Sequence, residues 1–213
     1  MSEEKKIAIF GSGGMAKDTA DVCKSMGFKS VLLITENVKN TDKYQSVHEN
    51  DVNKLIKSNF KFVIGIAKPK TRKKIAQKFR KLEYTNIIHP SSTILGNTEK
   101  ALAPSGTIIF PGVRIAGRVK IKKHCILSLN CTVGHDCSIG NFVSIMPGAT
   151  VSGNVSLASR AIVGSNASVL QGSSNSEKLK VGSGATIGMG SAVMRNVEAD
   201  QTVLGVPASE VGV

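Results

Sequence analysis

Hydrophobic positions along the chain change their period near residue 90. Before that point short apolar runs alternate with amphipathic stretches. Ile7-Ala8-Ile9-Phe10 stops at Gly11-Ser12-Gly13-Gly14, and Met15, Ala16, Ala20, Val22, Cys23 and Met26 then recur at helical spacing up to Gly27. Ser30-Val31-Leu32-Leu33-Ile34 reads as a second strand and Phe60 to Ile66 as a third. Thr71 is placed to cap a helix running through Leu82, and Tyr84 to Ile88 reads as a fourth strand. Strands joined by helices through short connections predict a parallel sheet covered by helices, a Rossmann-like α/β domain over residues 1–90. Residues 36–50 show no period and are expected to form a mobile loop.

From Ile109 onward the period is six. Stepping by six from 109 to 193 visits fifteen positions, and fourteen are aliphatic. Two residues before each stands an uncharged and mostly small residue, and Gly follows at 134, 140, 164, 182 and 188. Six fits neither a helix nor a hairpin; it is the signature of a parallel β-helix. Three hexapeptides would make one triangular turn, with successive turns stacked at strand spacing, about 4.8 Å. Each aliphatic then points inward, the small residue sits at a tight corner, and the glycines are expected to give the backbone freedom between faces. Residues 91–213 are therefore expected to form this second domain. The single miss is Asn175, within 173–178, which predicts a protruding loop.

The chain has 28 Lys+Arg against 15 Asp+Glu, a net charge of +13. Such an excess steers anionic, phosphate-bearing ligands towards a surface. The densest basic stretch, 68–81, is read as a solvated helix face. Nucleic acid is a poor partner because no aromatic interleaves that stretch as a stacking platform. No apolar run approaches the roughly 18 residues a spanning helix needs. The start, Met1 to Lys6, has no signal-peptide core, so a cytoplasmic location is expected.

A triangular prism has flat sides and no cleft, so its sites are expected where prisms meet, with a homotrimer as the natural assembly. A catalytic group should then point outward, off the inward register. His135 does, and Asp136 beside it is the sole acid between residues 100 and 176. A histidine can take a proton near neutral pH and a carboxylate can orient it, although an exposed surface histidine would look the same. His124 is also off the register but lies in a basic stretch without a carboxylate. Cys125, Cys131 and Cys137, spaced by six, would point inward one by one, so neither metal nor disulfide is expected of them. Gly11-x-Gly13-x-x-Ala16 fits a loose dinucleotide fingerprint, with Glu36 past the second strand as a ribose acceptor. A bland tight turn would use the same glycines.

The whole chain resembles the bacterial sugar acetyltransferases that act on UDP-4-amino sugars or sialic-acid-type sugars. The resemblance rests on residues 9–17 (IFGSGGMAK), 88–91 (IHPS), 133–140 (VGHDCSIG) and 203–208 (VLGVPA). It implies a left-handed β-helix, acetyl-CoA as co-substrate and no metal. His135 would be the general base, Asp136 its orienting partner, and the backbone N–H of Gly153 the oxyanion donor. The resemblance further implies acetyl-CoA contacts at Gly164, Gly182, Gly188, Gly205 and Pro207. Contacts to a nucleotide-linked sugar would fall at Gly11, Gly13, Gly14, Met15, Glu36, Gly65 and Ile66. The chain carries Met15 and Ser144 where members of the family commonly carry histidine. The expected function is acetyl transfer to an amino or sialic-acid-type sugar for surface glycans; the alternatives are a trimeric scaffold or sensor that binds nucleotide and CoA without turnover, or a zinc hydratase, which four scattered histidines disfavour.

Overall fold

A computed structural model describes residues 5–40, 43–96, 102 and 105–211; Met1 to Glu4 lie outside them. The first half is a four-stranded parallel sheet in the order β3-β2-β1-β4, formed by β1 (Lys6–Phe10), β2 (Ser30–Thr35), β3 (Gln45–His48) and β4 (Lys61–Ile64). Alternation along the strands sorts their side chains between two layers. Ile7, Ile9 and Val63 pack with Ala16, Ala20 and Cys23 of helix α1 (Gly14–Ser25). Ala8, Phe10, Phe62 and Ile64 pack on the other face with Val52 and Leu55 of α2 (Val52–Lys57) and with Phe79, which follows α3 (Pro69–Lys78).

Here the expectations need correcting in three places. Residues 36–50 are not simply a loop: β3 pairs in parallel with β2, and Glu49–Asp51 forms a 3-10 turn leading into α2, which the apolar pattern did not announce. Gln45-Ser46-Val47-His48 is an edge strand with one buried side chain, so alternation is too short to register. Helix α3 begins at Pro69 with Lys68 as its N-cap, not at Thr71, because Pro suits the first helical position, and it ends at Lys78. The fourth strand is only Ile87–Ile88, and it pairs with Ile108–Ile109 in the second half; Tyr84 keeps one bridge to Phe62.

The second half is a left-handed parallel β-helix. Partners in register stand eighteen residues apart, as in Ile109, Leu127, Ile145 and Val163 on one face and Ile115, Val133, Val151 and Val169 on the next. These side chains are buried to within 3%. Above Val163 the partner is Ile187, six positions late, and above Leu157 it is Val181. The extra hexapeptide is 173–178, which leaves the prism as an exposed turn and returns in phase.

The corners are made differently from the expectation. Gly134, Gly140, Gly164 and Gly182 do not adopt left-handed backbone; a Cβ on any of them would lie 2.4–2.7 Å from backbone of the next turn. Close approach of stacked backbones, not rotational freedom, requires them. Left-handed φ falls instead three residues after the inward aliphatic, at Arg118 (62°), Asp136 (59°) and Asn154 (55°) in one corner and at His124, Phe142 and Arg160 in another. Asp and Asn tolerate that region best among side-chain-bearing residues.

One buried cation ties the halves together. Arg72, read from sequence as part of a solvated basic face, is 0% exposed. Its guanidinium donates to the carbonyls of Ile66 (2.6 Å) and Ala67 (2.9 Å) in the α/β half. It also donates to His124 O (2.8 Å), Phe142 O (2.7 Å), Val143 O (3.1 Å) and Ser144 Oγ (3.0 Å) in the β-helix. Burial pulls its pKa down to about 10, so it stays charged at neutral pH. His124 is wedged beside it between Tyr84 and Phe142, and desolvation pushes its imidazole down to about 4.

Two outcomes follow from this architecture. Deleting residues 173–178 joins Gly172 to Leu179 in register, so circular-dichroism melts should show a folded protein, whereas deleting five of the six residues should abolish the cooperative transition. Arg72→Met removes the donor from six acceptors; Ala67 O and Val143 O keep Ser144 Oγ and Ile126 N, but the carbonyls of Ile66, His124 and Phe142 lose theirs, and urea denaturation should show a loss of about 3 kcal/mol or more.

Candidate functional site

Adjacency in sequence and the left-handed turn at Asp136 together build an acid–base pair on one corner of the prism. His135 Nδ1 lies 2.8 Å from Asp136 Oδ2, and the imidazole is half exposed. The carboxylate is shared: Arg118, one turn below, binds it through two parallel bonds of 2.8 and 2.9 Å. Arg118 first, and His135 second, hold the Asp136 carboxyl far below the usual carboxylate range. Asp136 therefore stays ionised and accepts from Nδ1–H, which leaves Nε2 as the proton-accepting nitrogen.

Gly153 sits one turn above His135. A Cβ there would stand 2.6 Å from Nε2, so the ring lies directly against this glycine and any larger residue would push the imidazole from its place. The Gly153 N–H donates to no group among the described residues, although its carbonyl accepts from Gly172 N at 3.0 Å. Gly134 leaves that amide uncovered, since a Cβ on residue 134 would be 2.5 Å from Gly153 N. A basic nitrogen and an unpaired amide donor are thus brought to one spot on the prism surface.

The other expected residues fall into two groups. Gly11, Gly13, Gly14, Met15, Glu36, Gly65 and Ile66 all line one cavity of about 630 Å³ at the carboxyl ends of the sheet strands. Gly13 caps α1 with no side-chain bond and no acid follows in the first turn, so the helix N-terminus faces the cavity with its dipole unneutralised. Gly11 needs its positive φ of 117° and clears Ile66; Gly65 lets Ala16 approach its backbone. Asn37, Thr71, Lys74 and Lys78 also line it, with Lys78 held by Glu49 at 2.6 Å. Gly164, Gly182 and Gly188 pack tightly against the next turn of the prism, while Gly205 and Pro207 are exposed near its far end. The structure does not bring these five into either site.

Ser144 is committed elsewhere. Fully buried, it donates to Ala67 O at 2.9 Å and accepts from Arg72 at the joint between the halves. The four cysteines are buried and separate, and burial pushes Cys125 and Cys131 up to about 12, so neither is a nucleophile at neutral pH. Among the described residues no group of histidines, cysteines and carboxylates converges as a metal site, and no helix is long and apolar enough to cross a membrane. Sequence reading missed Arg118. It would have emerged from writing the second half in lines of eighteen, where Arg118 stands under Asp136.

Because Asp136 is lowered in the folded state, its stabilising contribution is present above about pH 4 and is lost as pH falls towards its folded value. In Arg118→Ala the larger of its two charge partners is gone, and carboxyl carbon NMR should show Asp136 titrating at higher pH than in the native protein.

Comparison with known proteins bears on both sites. A family model described as the PglD N-terminal domain matches residues 6–79. Over 163 residues the chain is 31% identical to the GDP-perosamine N-acetyltransferase of Escherichia coli O157:H7, covering 72% of each protein. WeeI from Acinetobacter baumannii AYE superposes with a TM-score of 0.88 at 24% identity, over 97% of this chain and 100% of that one. PerB from Caulobacter crescentus, solved with CoA and GDP-perosamine, gives 0.85 at 23% identity over 99% of both. At these identities the structural likenesses establish a shared fold.

Proposed function

The chain belongs to the sugar acetyltransferase family, and we propose that it moves the acetyl group of acetyl-CoA directly onto a nucleotide-linked amino sugar in the cytoplasm. The reading is carried by one observation: an imidazole oriented by an ionised carboxylate lies against a glycine whose amide has no partner among the described residues. The relatives' names supply the substrate class. The GDP-perosamine N-acetyltransferase is a match over most of both chains, and PerB was solved with CoA and a GDP-sugar.

In this mechanism the nucleotide occupies the α/β cavity, its diphosphate facing the N-terminus of α1 and Lys74. The acceptor amine loses a proton to His135 Nε2 as its nitrogen attacks the thioester carbon. Charge developing on the carbonyl oxygen is taken by the Gly153 N–H, a donor in place before the reaction starts. Collapse of the tetrahedral species breaks the carbon–sulfur bond, and the CoA thiolate leaves with the proton from the imidazolium. Asp136 stabilises that imidazolium without taking its proton. No acyl-enzyme is needed.

We place acetyl-CoA in a groove between neighbouring prisms of a homotrimer, along Gly164, Gly182, Gly188, Gly205 and Pro207. Support comes from the flat prism sides and from exposed apolar groups towards its far end: Met189, Met194 and Val206 are 60–79% exposed. The same groove would bring His135 of one prism within reach of a thioester held partly by its neighbour.

Thiol release from acetyl-CoA, measured across amino and hydroxyl sugars, free and nucleotide-linked, tests the reading. His135→Ala should lower turnover by about 10²–10⁴-fold. Its trimer mass by light scattering and its CoA affinity by calorimetry should be unchanged. Native-level turnover in that variant would reject the mechanism, and a hydroxyl sugar as the sole acceptor would reject the amine.

A further inference from the structure

We propose that Lys178, the last residue of the inserted hexapeptide, is a positioning residue for the His135–Asp136 pair. The proposal rests on the transfer reaction inferred above. The insert interrupts the repeat at the corner that carries the pair. It leaves the prism at Gly172, whose N–H donates to Gly153 O at 3.0 Å, and returns at Leu179, whose N–H donates to Asn154 O at 3.1 Å. Both of its feet therefore stand on the turn directly above His135.

From the second foot Lys178 reaches down past that turn. Its Nζ donates to the main-chain carbonyl of Asp136 at 2.6 Å and to Ser138 Oγ at 3.0 Å. Asp136 stands in left-handed backbone at a φ of 59°, where a side-chain-bearing residue needs its surroundings to hold it. Lys178 fixes the peptide plane on one side of its Cα, and Arg118 fixes the carboxylate. With both ends of Asp136 tethered, the direction in which it presents Oδ2 to Nδ1 is set. The Nε2 lone pair is thereby aimed over Gly153. Neither cation touches the nitrogen that accepts the proton, so Lys178 acts through Asp136. A repeat without the insert would place no lysine ammonium there: the residue in phase above Asn154 is Gly172, which has no side chain.

Lys178→Met keeps most of the stem and removes the donors, while Lys178→Arg keeps donors on a stem of similar reach. For Lys178→Met we expect kcat to fall about tenfold, with KM for acetyl-CoA and acceptor within about twofold of native, because misaimed catalytic groups cost rate and not binding. Lys178→Arg should recover most of the loss, and melting temperatures of both should stay close to native. Independently of turnover, long-range ¹H–¹⁵N NMR of the imidazole should show the His135 nitrogens distinct in the native protein and moved towards averaged values in Lys178→Met. Unchanged kcat together with unchanged ring resonances overturns the proposal. A rise in KM at constant kcat also overturns it, by making the insert a binding wall. A large fall in melting temperature that arginine fails to restore makes Lys178 a plain structural anchor and overturns it as well. Should the native protein transfer no acetyl group to any sugar, the functional reading fails, and the NMR arm still decides whether Lys178 sets the ring.

Discussion

The stacking constraint of the prism governs everything else in this molecule. Each turn must return the chain to about 4.8 Å above its starting point, with every carbonyl and amide of the face paired to the turns on either side. Inward aliphatics satisfy this by layering Ile109, Leu127, Ile145 and Val163 in register, each fully buried. The corners satisfy it by strain or by deletion of side chains: left-handed Arg118, Asp136 and Asn154 in one column, and glycines at 134, 140, 164 and 182, where the next backbone passes within contact. The meeting of the His135–Asp136 pair with a Gly153 amide that has no partner among the described residues is a by-product of that column. His135 and Gly153 meet because they are eighteen residues apart, one turn of the prism.

A second dependence lies at the joint. A guanidinium without a carboxylate partner is costly to bury, and here six neutral oxygens surround it, drawn from both halves of the chain. Two of those oxygens belong to Ile66 and Ala67, which also line the α/β cavity. The wall of that cavity is therefore fastened to the edge of the prism rather than hanging from the sheet alone. Ser144 completes the same fastening by bonding both Ala67 and Arg72. That commitment explains in physical terms why a small hydroxyl stands at 144: the position is fully enclosed, and its two hydrogen bonds are both internal.

Much of this was legible in the chain. The change of period near residue 90 separated a strand–helix half from a hexapeptide half, and the glycine cluster after Phe10 gathered, with Glu36, Gly65 and Ile66, around one cavity. His135 and Asp136 were legible because the contact is between neighbours. Where reading failed, the signals were short or ambiguous. An edge strand with one buried residue, Ser46, has no period to detect. Arg72 was hidden among Lys68, Lys70, Lys73 and Lys74, because composition cannot distinguish the one cation that turns inward from its solvated neighbours.

The amino-acid sequence by itself determined the repeat, its inward register and the contact between His135 and Asp136, since these depend on spacings of one, two and six residues along the chain. Only the tertiary structure decided that Arg118 and Lys178 both converge on Asp136 and that Arg72 spans 70 residues to reach Phe142. Those contacts depend on how many residues each turn consumes, and the six-residue insert changes that number just above the site. Local pattern fixes which face a side chain takes; the accumulated register of stacked turns fixes which distant side chain it meets there.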